Sequence, residues 1–336
     1  MNVSDTLFSL ISWLDTRLLQ GAILATRLQL PSPVTGPESI AFDRNGGGPY
    51  VGVSDGRILK YVGPNSFVEY GHSSPNRNKT VCDGLADFSE IQAECGRPLG
   101  LRFNHQTDEL FVADAYFGLI KIGPNGGAPT QCLKAPQSPQ DNSTVEFLDG
   151  IDIDVNTGIV YFTQASANFH FKDVPALQSS RDQSGSLFSL DPKTNQTRVL
   201  MRGLAVASGV AVSSDGAFVL VSEYSSNRIL RFWLKGPRAN SSELFVQLTG
   251  RPDNIRRNSR GQFWVAVNSV LGPNPPSRPT FLPSRGVRIG PNGVVLQIVS
   301  LVREFGSETV SEVHEHNGTL YSGSLHASYV AVSSML

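Results

Sequence analysis

From Ser39 onward the chain sets apolar and polar residues in alternation, in short runs broken by tight polar turns, and the same unit returns six times. The runs are SIAFDRNGGGPYVGV from Ser39, GLRFNHQTDELFVAD from Gly100 and GIDIDVNTGIVYFTQ from Gly150. They continue with GVAVSSDGAFVLVSE from Gly209, NIRRNSRGQFWVAV from Asn254 and EVHEHNGTLYSGS from Glu312. Period-two alternation predicts strands with one buried face. Asn-Gly, Asp-Gly and Thr-Gly turns supply the positive φ that hairpins need. After several second strands a further turn, such as Asp55-Gly56 or Ser225-Ser226-Asn227, leads into a third apolar strand.

Like units of three or four antiparallel strands in series predict an all-β, six-bladed propeller rather than one large sandwich. The propeller is expected over residues 31–336, behind an N-terminal segment over 1–30 that reads as a degenerate or truncated signal region. No helical segment of convincing length is predicted. The stretches 168–184 and 272–283 read as insertions between strands that either overhang a pocket or, by default, run as solvated connections.

Aligning the repeats gives one equivalent residue per blade just ahead of the inner strand: Glu38, Leu99, Asp149, Ser208, Asp253 and Ser311. Inner strands line the axis of a propeller, so these six are expected to ring one mouth of it. Carboxylates gathered there repel unless something compensates. A hard cation held by oxygens is one answer, with Glu38, Asp149, Asp253 and Asn254 as ligands and Ser208 as a weak neutral one. Bridging water and backbone amides are the other. His170, between Phe169 and Phe171, is either a pocket residue able to shuttle protons or a surface histidine. In the sixth repeat Glu312, His314 and His316 share one strand face, and Ser311, Val313 and Glu315 the other. Glu312 and Asp149 are the candidate catalytic carboxylates. No G-x-S-x-G elbow, HExxH motif or phosphate loop occurs.

Composition narrows the partners. A net charge of −1, with 17% charged residues and no Lys/Arg block, gives nucleic acid nothing to hold. No stretch reaches the length of a membrane span. The expected partner is a small-molecule substrate, and the expected state a monomer. Of the three cysteines, Cys82 and Cys95 bracket a short polar stretch, a spacing that suits one disulfide in an oxidising compartment or two reduced thiols elsewhere. Cys132 is then unpaired and expected to be buried. Six sequons, at Asn2, Asn78, Asn142, Asn195, Asn240 and Asn317, suggest glycosylation.

Several segments look familiar: Gly36-Pro37-Glu38-Ser39-Ile40, CGRPLGL from Cys95, FVADAYFGL from Phe111, TGIVYFT from Thr157, RILRFWLKGP from Arg228, RPDNIR from Arg251 and NGTLYSGS from Asn317. In this order, from about residue 30 to the C-terminus, they resemble the strictosidine-synthase-like family of plants. The resemblance implies a six-bladed propeller related to calcium-dependent lactonase and phosphotriesterase propellers, and a vacuolar or endomembrane location. It also implies a Cys82–Cys95 disulfide.

The true synthase condenses tryptamine with secologanin, without a metal, through one glutamate of the sixth blade. That position is Ser311 here, with Glu312 one residue later. The synthase's pocket histidine corresponds to Thr309, and its pocket tryptophan and tyrosine to Phe147 and Asp149. Glu38, Asp253 and Asn254 match the calcium ligands of the metal-dependent relatives, whose two middle-blade asparagines correspond to Asp149 and Ser208. The leading expectation is therefore a hydrolase of small esters or lactones with Ca²⁺ on Glu38, Asp149, Asp253 and Asn254. The alternatives are the synthase reaction through Glu312 and a non-catalytic binding glycoprotein.

Overall fold

The computed structural model describes residues 25–64, 66–129, 131–133, 147–268 and 283–334, with backbone alone at Ala25 and at 131–133. Six antiparallel sheets of four strands follow one another along the chain. Their innermost strands are Ile40–Ala41, Pro98–Asn104, Leu148–Ile153, Ala207–Val212, Arg251–Arg257 and Glu312–His316, in blades one to six. Each aligned repeat is the inner pair of a blade, so the predicted six-bladed propeller is the fold.

The ring closes through the N-terminus. Ala25–Gln29 pairs with Tyr329–Ser334 as the outermost strand of blade six, with Ala25 opposite Ser333 and Gln29 opposite Tyr329. The propeller thus begins ahead of the boundary expected at residue 31. Pairing this strand with the last one of the chain closes the ring within blade six, and the inner edges that remain are short and face the axis.

The core lies between blades, where the apolar faces created by alternation meet. Phe111, Ile151, Phe162 and Phe188 join blades two and three. Leu220, Phe245, Phe263 and Val265 join blades four and five. At the axis the inner strands press closely together. A Cβ on Gly100, Gly150 or Gly209 would stand 2.3 Å from Asp149 O, 2.4 Å from Ser208 O and 2.5 Å from Ile255 N respectively. Glycine at these points lets neighbouring backbones approach.

Among the described residues the helices are short, with Val174–Ser179 the longest. Among the described residues none is long and apolar enough to cross a membrane. The Cys82–Cys95 disulfide is formed, 13 residues apart in sequence. Asn2, Asn142, the side chain of Cys132 and residues 272–282 lie outside the described residues.

Candidate functional site

The ring residues reach the axis because the inner strands bulge there. Blades two to five lose regular register between Pro98 and Gly100, Leu148 and Ile151, Ala207 and Val210, and Pro252 and Ile255. A bulge turns consecutive side chains away from strict alternation and leaves backbone groups without ladder partners. Second-strand side chains satisfy them. Gly150 N donates to Thr163 Oγ1, which itself donates to Ser208 O in the next blade. Ser222 repeats the arrangement, accepting from Gly209 N at 2.7 Å and donating to Asp253 O at 2.8 Å. These two hydroxyls lie in YFTQ and LVSE, at positions that alternation alone marks as apolar.

Above the ring is a cavity of about 270 Å³. Its floor carries Glu38, Asp149, Ser208 and Asp253, and its walls include Leu99, Phe147, Val206, Tyr224, Thr309 and Leu325. The roof is the stretch at 168–184, by default a solvated connection. It folds instead into a short 3-10 turn, Phe171–Asp173, and the helix Val174–Ser179, and sets Phe171, Val174, Pro175 and Leu177 against the cavity. Phe171 and Leu177 are buried. The apolar spacing Phe171, Val174, Leu177 is the sequence signal for this roof. His170 is exposed and caps the 3-10 turn, outside the cavity lining; its neighbour Phe171 takes the place expected for it.

Burial dominates the charges on the floor. Glu38 and Asp149 are 3% and 8% exposed, while Asp253 keeps partial exposure into the cavity. Desolvation, and then the charges of Asp149, Asp253 and Glu312, push the Glu38 carboxyl well above the ordinary carboxylate range. Asp253 is raised by desolvation and by Asp149 and Glu312. Asp149 is pushed up to about 7 by desolvation, against a hydrogen bond from Ser208 and the charge of Arg97. Arg97 is wholly buried behind the wall and held by Asp87 at 2.7 Å. Burial also lifts the Tyr224 phenol to about 12, which keeps it a neutral donor at neutral pH.

The donor set suits a hard cation in type. Asn254 donates its amide to Glu38 Oε1 at 2.9 Å, leaving its own oxygen available, and Glu38 Oε2 is buried without a partner. In spacing the fit is incomplete. Among the described residues no three His, Cys, Asp or Glu side chains stand together as a metal-holding group, so binding would have to draw the carboxylates inward.

Glu312 is elsewhere. Blade six keeps regular register from Glu312 opposite Gly323 to His316 opposite Thr319, without the bulge that would swing Glu312 into the cavity. Its carboxylate pairs with Arg256 at 2.7 Å and accepts from Ile40 N at 3.0 Å. Arg256 also donates to Ser39 Oγ, Leu101 O and Ile151 O, so one guanidinium ties blades one, two, three and six to blade five. Burial alone would raise the Glu312 pKa; Arg256 and His314 outweigh it and hold the group ionised below the ordinary range. Ser311 donates to Glu38 O and also lies outside the cavity lining.

The structure therefore gathers Glu38, Phe147, Asp149, Ser208, Asp253 and Thr309 around one cavity, with Asn254 behind it. It leaves Glu312, Ser311 and His170 outside. Phe88 and Arg97 were not legible as site residues, and for the roof the overhanging alternative is the one that holds rather than the default. Asn78, Asn195, Asn240 and Asn317 are exposed, the last three with φ of 55°, 62° and 49° in tight turns.

Comparison with known proteins gives the family and the fold. The strictosidine synthase family model matches residues 149–237, and the model for the N-terminal part of strictosidine synthase-like proteins matches residues 24–61. STRICTOSIDINE SYNTHASE-LIKE 12 of Arabidopsis thaliana is 40% identical over 332 residues, covering 96% of this chain and 95% of its own length. Strictosidine synthase of Catharanthus roseus is 34% identical, covering 91% of this chain and 85% of its own. Among solved structures, a gluconolactonase from Xanthomonas campestris superposes with a TM-score of 0.63 at 13% identity, over 93% of this chain and 89% of that one. A luciferin-regenerating enzyme gives 0.60 at 14%, over 93% and 95%. The two solved structures share the fold, and the two plant relatives share the sequence almost end to end: the chain belongs to the strictosidine synthase-like family.

Proposed function

We propose that this protein hydrolyses a small ester or lactone with an apolar body, using the acidic floor of the cavity as the reacting end. One observation carries the reading: three carboxyl groups with raised pKa values close the end of a largely apolar cavity. Perturbed carboxyls in a cleft are the usual mark of acid–base chemistry. The walls hold the substrate's apolar part and exclude water around it. Asp149 is the group whose proton leaves near neutrality, which suits a general acid or base. Thr309 offers a hydroxyl that orients a polar substrate atom.

A divalent cation, calcium by the hardness of the donors, would be held by Glu38, Asp149, Asp253 and Asn254; when bound it would polarise a carbonyl and ionise the carboxyls around it. The synthase reaction through Glu312 has no matching support, since that carboxylate is engaged by Arg256 away from the cavity. The disulfide and the four exposed sequons support residence in an oxidising endomembrane lumen or vacuole.

The test is a panel of γ- and δ-lactones and aryl esters assayed in calcium and in chelator. Turnover of at least one compound is expected, with calcium increasing it. No turnover under either condition contradicts the reading and favours a non-catalytic binding protein.

A further inference from the structure

One wall of the cavity is made under conformational strain. Phe88 lines the cavity with φ at 67°, a left-handed backbone that a bulky side chain rarely adopts. Strain of this kind persists only where the surroundings over-determine it, and it concentrates at ligand sites. Here a buried network imposes it. Gln92, wholly buried, accepts from Phe88 N at 3.1 Å and donates to Ser54 O at 2.8 Å and Asp87 Oδ1 at 2.7 Å. Asp87 is gripped in turn by Arg97. The Cys82–Cys95 crosslink brackets the whole loop.

The strained ring meets a partner from a distant segment. Phe88 stacks on Phe171 of the roof, with centroids 5.1 Å apart and planes 20° from parallel. Phe171 also meets Phe147 edge-on at 5.8 Å. Beside this pair Lys172 of the roof donates to Glu90 of the loop at 2.8 Å. Two insertions from different blades therefore meet over the cavity through one aromatic pair.

We propose that Phe88, fixed by Gln92 and stacked on Phe171, is a specificity-determining residue that limits how large an apolar body the cavity admits. The limit acts on the hydrolysed substrate and so rests on the reading above, but it is a property of binding and can be measured without turnover. Glycine adopts a positive φ without cost, so Phe88→Gly removes the ring and the strain together. Phe171→Leu removes the other half of the stack and is a second, independent variant.

The experiment titrates wild type and both variants with phenol and 2-naphthol, the product alcohols of two aryl esters, by calorimetry. Alongside it, hydrolysis of phenyl acetate and 2-naphthyl acetate is followed. In Phe88→Gly the affinity of 2-naphthol relative to phenol is expected to rise roughly tenfold, the scale on which pocket size discriminates apolar groups. Phe171→Leu is expected to move the ratio in the same direction. If esters are turned over, the ratio of their KM values should follow. An unchanged alcohol ratio in both variants, or wild-type protein binding 2-naphthol better than phenol and as well as Phe88→Gly does, overturns the proposal. A shifted binding ratio without hydrolysis of any ester sinks the hydrolase reading and leaves the gate standing.

Discussion

Asn254 of blade five donates its side-chain amide to Glu38 of blade one at 2.9 Å, across 216 residues of sequence. That bond joins two of the four residues expected to hold calcium and leaves the second Glu38 oxygen buried and unsatisfied. A buried carboxylate with one free oxygen gains most from a cation.

Calcium is accordingly expected to raise the melting temperature, because a ligand of the native state alone stabilises it by mass action. Ser208→Asn should enlarge the gain by adding an amide oxygen beside Asp149. Thermal scans at increasing calcium provide the check; no shift at millimolar calcium in either protein would remove the cation from the account.

The floor also predicts a pH dependence in chelator. Asp149 has an ordinary pKa of 3.8 and is raised to about 7 in the folded state. Between these values the native state holds a proton that the unfolded chain has released, so stability falls as pH rises. The contribution of this group is complete below about pH 4 and lost by about pH 7. The melting temperature of wild type should therefore fall relative to that of Asp149→Asn, whose side chain stays neutral, across that window and level off above it. Wild type holding level with Asp149→Asn, or gaining on it, as pH rises would contradict the protonated floor.

The channel ion pair should behave oppositely to a catalytic group, as a structural one. Glu312→Gln leaves the Arg256 charge buried with only neutral partners, and breaking a buried pair typically costs about 3–5 kcal/mol. Urea unfolding should show a loss on that scale. A change below about 1 kcal/mol, the range of an exposed pair, would mean that water reaches the channel.

The sequence carried the blades because alternation, hairpin turns and six-fold repetition are all local signals that point the same way. It carried five of the six ring positions as well, Glu38, Leu99, Asp149, Ser208 and Asp253 but not Ser311, since one residue per repeat approaches the axis. It did not carry the bulges. Whether Glu312 enters the cavity depends on one residue of register in blade six, and register is decided by pairing with Thr319–Gly323. The closing strand escaped for a similar reason: Ala25–Gln29 is a strand only against Tyr329–Ser334, at the far end of the chain. The sequence left open whether 168–184 overhangs a pocket, because a six-residue helix has little propensity of its own and forms by packing Leu177 and Phe171 over the cavity. Arg97 and Phe88 were invisible because their roles come from neighbours distant in sequence, Gly36 for one and Phe171 for the other.

The central claim is that chemistry belongs to the floor carboxylates and not to Glu312. The most direct measurement is kcat/KM on the best lactone or aryl ester for wild type, Asp253→Ala and Glu312→Gln, taken at a temperature where all three are folded. Asp253→Ala is expected to lose about 100-fold or more, the scale of a missing acid–base or charge-stabilising group, while Glu312→Gln keeps most of the wild-type value. Full activity in Asp253→Ala together with collapse in Glu312→Gln would contradict the account and return the reaction to the sixth blade.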